Sequence, residues 1–408
     1  MFLIRHLAWR YLRGKRGANI VPILSRISMV AIAVGSCAMI VLFSIFNGFE
    51  SLIKDLYKAF YPEIKITAAK GKFFAVDEPR FAALKSIDGI TAVTRVIEDN
   101  VLLNANDEQQ VATLKGIEPN YRSVNDLRPY MYDGVDSVTE NPIPTALIGL
   151  QTANHLGIDI RNVFSRLSIY YPNTEAENLS LNPQSAFQNL QLQPEGIFRI
   201  QDEFDSRYIL APIHRVQELF LQPGKYSSIE IALSGANPEA VKQKISQLLG
   251  NAYRVETRYE QNKTLYMVMQ SEKWAVYGIL VLVLLIASFN MVGALTLLVL
   301  EKQKDIAILK AMGAANGTIH ALFITEGVLW AVIGGGGGIV AGGLFCLGQQ
   351  HFHWIKLQGA FIIDAYPVAM QWTDFMVVLL TVVVVGLLAS WYPSVRATRA
   401  QDPSLKSA

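Results

Sequence analysis

The 408-residue chain has only two cysteines, six histidines and almost no net charge, with 36 basic side chains against 34 acidic ones. Two cysteines cannot staple a disulfide scaffold, and a formal charge of +2 excludes a nucleic-acid binder that works through bulk charge. Disorder is excluded by the 51% hydrophobic content and a mean hydropathy of +0.27. No G-x-x-x-x-G-K-[ST] occurs, and the glycine block Gly334 to Gly338 is followed by neither Lys nor Ser/Thr, so it cannot cradle a phosphate. No Ser/His/Asp or Cys/His constellation can be assembled. His351 and His353 stand at i and i+2 without an acidic or Cys cluster, and no metal site is expected. Cys37 and Cys346 fall in apolar runs and read as packing residues.

What the chain does have is long apolar runs, concentrated at its two ends. Residues 27–46 carry no charge and meet the roughly 20-residue requirement for a helix crossing hydrocarbon. Further runs predict four spans at 27–47, 274–300, 318–348 and 375–395. All must be helical, because backbone polar groups in lipid have to be satisfied within the segment. A basic leader ending in Val34-Gly35-Ser36-Cys37 would also suit a lipoprotein signal, but the apolar run continues past Cys37 and three more spans follow.

Charge orients the spans. The first 26 residues hold Arg5, Arg10, Arg13, Lys15, Arg16 and Arg26 and no acid, which predicts a cytoplasmic N-terminus. An even number of spans returns the tail, 396–408, and the loop 301–317 to the same side. The insert between spans one and two is then periplasmic, as is the loop 349–374. The segment from Glu50 to Lys273 has 23 basic and 28 acidic residues, against 13 and 6 in the rest, in agreement with that orientation. The fold class expected is a membrane protein of four transmembrane α-helices with a large α+β periplasmic domain, residues 48–273, inserted between helices one and two.

Within the insert, alternation at Glu63 to Thr67 predicts a strand, and Pro79 to Ile87 and Pro238 to Leu249 predict helices. The two ends, 63–117 and 226–258, read as βαβ-like halves, with an inserted subdomain at about 118–225. Tyr171 to Pro194, rich in amides and Pro, reads as a protruding loop. Gly48 to Phe60 and Asn262 to Lys273 look helical, so spans one and two should extend beyond the bilayer. Gly334 to Gly338 should let helices approach closely. Glu326, the one acid inside an apolar span, invites either pairing with Lys310 or Arg396 or a proton-coupling role. Asn290 could hydrogen-bond across a dimer. Glu301 to Gly313 reads as a short helix with Ile306, Leu309 and Met312 within one face.

Specific residues then carry a resemblance: the N-terminal fifty, TALIGLQTANHLGI (145–158), ASFNMVGALTLLVLEKQKDIAILKAMGA (287–314), ITEGVLWAVIGG (324–335) and ASWYPSVRATRAQDP (389–403). In this order the chain resembles the permease subunits of lipoprotein-releasing (Lol-type) ABC transporters, in the FtsX-like and MacB-like permease superfamily.

The resemblance implies a non-catalytic subunit of the bacterial inner membrane. It binds no cofactor itself, with ATP and Mg on a partner ABC ATPase, and it pairs with a second permease copy, identical or paralogous. Membrane lipids, lipoprotein cargo and a periplasmic carrier are further implied partners; nucleic acid is not. It implies an amphipathic helix within 1–26 and an ATPase-coupling segment made of Glu301, Lys302, Asp305, Ile306, Leu309, Lys310, Met312 and Gly313. An acyl-chain path would run along Val30, Val34, Met39, Phe43, Phe46, Val276, Leu280 and Leu284. A carrier-binding loop would use Tyr171, Pro172, Leu181, Phe187, Leu190, Leu192 and Pro194, although this stretch is longer and more amide-rich than the family's hook and lacks a basic residue. The competing expectation is a non-transporting mechanotransmission subunit that controls a periplasmic partner.

Overall fold

The computed structural model describes residues 21–140, 142–162, 165–173, 186–356 and 365–399. It divides into a membrane unit and an inserted unit spanning Ile53–Tyr266. The expected amphipathic helix, including Arg5 to Arg16, lies outside the described residues.

Among the described residues, four helices are long and apolar enough to cross a membrane. Span one is Val21–Lys58, span two Lys263–Glu301, span three Asn316–Phe352 and span four Trp372–Arg399. Each outruns its apolar stretch, since helical hydrogen bonding does not stop where hydrophobicity does. Residues 21–26 therefore belong to span one, 349–352 to span three, 372–374 to span four and 396–399 again to span four, which corrects the loop and tail boundaries read from hydropathy. Asn262 lies outside span two, as the C-cap of the short helix Arg258–Gln261.

The membrane core joins Met39, Ile40 and Phe43 of span one to Leu284, Met291, Leu295 and Leu298 of span two, Phe323 and Trp330 of span three, and Val378, Val382 and Val385 of span four. Gly334, Gly338 and Gly342 lie against span one, where an added Cβ would strike the backbone of Met29, Ala33 and Cys37. Gly335 faces Val382 of span four, whereas Gly336 and Gly337 face open space. Spacing by four puts the first three on one helix face, the geometry that lets two helices approach closely.

The described strands of the inserted unit are β1 (Ile64–Ala68), β2 (Phe74–Ala75), β3 (Ile90–Ala105), β4 (Glu108–Ile117), β5 (Met131–Gly134), β6 (Thr145–Gly149), β7 (Leu167–Pro172), β8 (Phe187–Phe198), β9 (Tyr208–Pro212), β10 (Lys225–Tyr226), β11 (Ser228–Leu233) and β12 (Tyr253–Thr257). Ten of them form one sheet in the order β12-β1-β11-β3-β4-β9-β6-β8-β5, with β7 pairing β3 and β8, while β2 pairs with β10. β3 and β4 form a long hairpin whose two turn residues, Asn106 and Asp107, both have positive φ, as the favoured two-residue turn requires. The helix Pro238–Leu249 is N-capped by the Asn237 side chain, which accepts from the Glu239 N–H at 3.0 Å.

The expectation of a separate subdomain at 118–225 is corrected. β4 pairs with β9 in parallel, and one core joins Ile97, Leu103 and Leu114 to Ile148, Leu192, Ile209 and Val216. That pairing is far from local in sequence, so no periodicity announces it. A second core, with Ile64, Ile66, Ile229, Ile231, Val241 and Ile245, lies under the other end of the sheet.

Candidate functional site

The segment after span two carries the most organised exposed surface of the membrane unit. Its helix is Gln303–Ala311, so Glu301 ends span two and Lys302 is the N-cap, which shortens the helix expected from 301 to 313. Asp305 in the first turn and Lys310 in the last complement the helix dipole, and Lys302 pairs with Asp305 at 3.2 Å. Gly313, at φ 91°, turns the chain into span three.

Two contacts fix this helix to the bundle: Ile306 is buried in the membrane core, and the Lys310 ammonium donates to the Thr398 carbonyl at 2.8 Å. Thr398 lies in the last turn of span four, where a cation also meets the negative helix end. The stripe Ile306, Leu309, Met312 is therefore not one presented face. Ile306 points inward, Leu309 is half-buried, and the exposed apolar pair is Ile308 and Met312, at 59% and 79% exposure. With Lys304 and Ala311 they follow helical spacing on the outer side. Sequence reading missed Ile308; its spacing of four from Met312 was the available signal.

The residues expected along an acyl path divide in two. Met39, Phe43 and Leu284 are buried in the bundle and hold spans one and two together, which corrects their assignment to a surface. Val30 and Val34 are exposed at 61% and 63%, while Phe46, Val276 and Leu280 are half-buried. Span two adds exposed side chains that were not singled out, including Ile279, Leu282, Ile286 and Phe289. Asn290 is exposed beside them, next to the open face of Gly293. Glu326 pairs with neither Lys310 nor Arg396. It is buried, one oxygen accepts from the Trp330 indole N–H at 2.9 Å, and the other has no partner among the described residues.

The expected carrier loop is mostly a hairpin. β7 and β8 pair from Leu167↔Leu192 to Pro172↔Phe187, and only the tip, with Leu181, lies outside the described residues. Leu192 and Pro194 are buried, Leu190 packs on the core, and Tyr171 packs at a tilt on the Phe220 ring and donates to Asp99 at 2.9 Å. Of the described residues expected there, Phe187, half exposed at the tip end of β8, and Pro172, exposed opposite it on β7, remain presented.

On the sheet face below these elements lies a buried charge network. Lys115 on β4 pairs with Glu230 on β11 at 2.8 Å, Asn125 donates to the second Glu230 oxygen, and Lys65 on β1 pairs with Glu98 on β3 at 2.8 Å. Burial alone would raise the Glu98 carboxyl, but Lys65 and Lys115 outweigh it and hold it down to about 2. Nearby, Asp205 is buried and its carboxyl is pushed up to about 6 by that burial, only partly offset by backbone N–H bonds such as that from Ile200 at 2.8 Å. The network reads as structural, with its charges answered by one another.

Comparison with known proteins gives these surfaces their context. Residues 25–170 match the MacB-like periplasmic core domain family, and residues 277–401 match the FtsX-like permease C-terminal family. The chain is 26% identical to the lipoprotein-releasing system transmembrane protein LolE of Haemophilus influenzae over 98% of both proteins. It is 25% identical to LolC of Xylella fastidiosa, covering 96% of this chain and 95% of that one, and 25% identical to LolC of Neisseria meningitidis serogroup B over 97% of both. The two families match in order, one across the start of the insert and the other across spans two to four. The chain is accordingly a multi-pass inner-membrane ABC permease subunit of the Lol type, within the FtsX-like and MacB-like superfamily.

Proposed function

We propose that this chain extracts lipoproteins from the inner membrane for transfer to a periplasmic carrier, driven by a separate ATPase that docks on the helix Gln303–Ala311. The observation that carries the reading is the near full-length likeness to LolE and LolC, together with an exposed Ile308 and Met312 on a helix anchored to the bundle through Ile306 and Lys310. Both termini are cytoplasmic on this reading, and a second permease copy supplies a partner for Asn290, whose amide would otherwise face hydrocarbon.

Energy is needed because withdrawing acyl chains from lipid opposes about 0.8 kcal/mol for each CH₂ group. Helices anchored to the docking helix convert ATPase movement into movement of the spans, without any nucleotide on this chain. The exposed side chains of spans one and two offer the apolar surface that the cargo's acyl chains need.

The test is reconstitution of the permease with its ATPase and a radiolabelled lipoprotein, with and without a soluble carrier. ATP-dependent release, lost on Ile308→Glu or Met312→Glu while the permease stays folded, supports extraction and the docking face together. An assembled complex that hydrolyses ATP and releases nothing would favour the mechanotransmission reading instead.

A further inference from the structure

The packing of span two is uneven along its length. Its buried residues are Leu284, Ser288, Met291, Ala294, Leu295, Leu298 and Val299, so the C-terminal half is locked into the core at near-heptad spacing. None of its described residues before Leu284 is buried. The N-terminal half packs less deeply, with Tyr277, Leu280 and Val281 only partly buried against the core, and two polar contacts add to its hold. One is the pair of hydroxyls of Tyr277 and Thr381 of span four, 2.9 Å apart. The other is a cluster of three side chains from three spans.

In that cluster the Lys273 ammonium donates to Asn47 Oδ1 of span one at 2.7 Å, and Asn47 Nδ2 donates to Asp374 Oδ2 of span four. Lys273 is itself 3.8 Å from Asp374 Oδ1 and lies over the Phe43 ring, 5.8 Å from its centroid. Asn47 is 2% exposed, and its amide also donates to the Ala369 carbonyl at 3.3 Å. Asp374 sits in the first turn of span four, where the helix dipole favours a carboxylate. Asn47 thus bridges a cation and an anion by using both ends of one amide, in a setting where little water competes.

We propose that Asn47, Lys273 and Asp374 form a latch that closes the N-terminal half of span two against spans one and four, and that its release lets this half swing out. Leu284 is the pivot: it is the first buried residue of span two, and a Cβ added at Gly35 of span one would sit 3.0 Å from its Cδ1, so the two spans touch where the buried half begins. Beyond the pivot, the latch and the Tyr277 hydroxyl hold a helix segment whose other side chains are exposed or half-buried. A polar latch suits a moving joint, because its partners regain hydration at the membrane surface when it opens, whereas a broken apolar core leaves a cavity. That the opening admits a lipid anchor between spans one and two rests on the proposed function; the latch itself does not.

The test uses the full chain in phospholipid nanodiscs without lipoprotein, with Cys37 and Cys346 replaced by Ala. Spin labels go on Ser271→Cys of span two and Thr373→Cys of span four, both exposed positions. The parent should give one narrow distance. Lys273→Asp should raise the long-distance fraction by about tenfold, the scale of losing a charge-assisted hydrogen bond.

The double swap Lys273→Asp with Asp374→Lys should restore the narrow distance, because the Asn47 amide can turn over and serve the exchanged charges. Asn47→Leu, which fills the space and makes neither bond, should defeat that restoration. An unchanged distance in Lys273→Asp, or a double swap that stays broad in a folded and monodisperse sample, overturns the latch. Since no cargo is present, either result leaves the release reading untouched. Failure of release in a permease whose latch behaves as stated would count against transport alone.

Discussion

The inserted domain and the membrane unit bury polar groups in contrasting ways. In the inserted domain, Lys115 and Glu230 are each at most 3% exposed, yet they face one another, with Asn125 on the second carboxylate oxygen and the Lys65–Glu98 pair close by. In the membrane unit, Glu326 has one donor, Trp330, and span three comes close to spans one and four where side chains are absent, at Gly334, Gly335, Gly338 and Gly342. The difference teaches where each unit is stiff. A folded sheet tolerates ions in its interior when every charge is answered. In a bilayer, where lipid is as apolar as leucine, close backbone approach does the holding, and polar pairs remain for joints such as Asn47.

The comparison breaks most visibly at Lys115. Lys115→Met removes the cation and leaves Glu230 buried and uncompensated, which should destabilise the inserted domain by about 3–5 kcal/mol. The double replacement Lys115→Met with Glu230→Leu should recover most of that loss, since exchanging a whole buried pair for apolar groups is often neutral. Chemical denaturation followed by tryptic susceptibility of the full chain reads both. A single variant as stable as the parent would mean that the pair is not closed in solution.

Next in size is Gly338. A leucine there places its Cβ on the Ala33 backbone of span one and should cost about 3 kcal/mol, because backbone cannot step aside as a side chain can. Gly337, one residue away, faces open space, and Gly337→Ala should be neutral or stabilising by up to about 1 kcal/mol. Thermal unfolding in detergent separates the two. Equal effects would show that the glycines act through helix propensity and not through contact.

The sequence carried the spans well, since an uncharged run of twenty residues has few other readings, but not their ends, where helices continue through polar turns. Hairpin β7–β8 was hidden by composition. Gln, Asn and Pro suggest a loop, yet Leu190 and Leu192 alternate with Gln191 and Gln193, and that period of two was the truer signal. Pro194 sits in a strand because the register with β6 slips nearby. The proposed docking surface was legible as a segment but not as a face: Ile306 and Ile308 are equally apolar, and only the packing of the bundle decides that one is buried and the other presented. Asn47, Lys273 and Asp374 could not be linked at all, because they are separated by more than two hundred and by about one hundred residues and no pattern connects them.

Asp205 offers a smaller effect than Lys115 or Gly338 and the sharpest sign. Its folded value, raised to about 6 from the usual 3.8, means that the folded protein holds this proton more tightly than the unfolded chain does. The stabilisation is therefore complete below the unfolded value and is lost as pH rises through about 4 to 6, opposite to the buried carboxylate Glu98, whose folded value is depressed to about 2. Above pH 6 the buried anion at Asp205 remains, held by backbone N–H groups and, more weakly, by the charge of Arg199. Asp205→Asn keeps an acceptor for the Ile200 N–H and never ionises, so it should raise stability at pH 7.5 by about 2 kcal/mol and flatten the change between pH 4 and 6. Denaturation midpoints of the full chain at pH 4.5 and 7.5 supply the check. If parent and variant differ equally at both, the carboxyl titrates as an ordinary aspartate and the inserted domain buries its anions only where a lysine answers them.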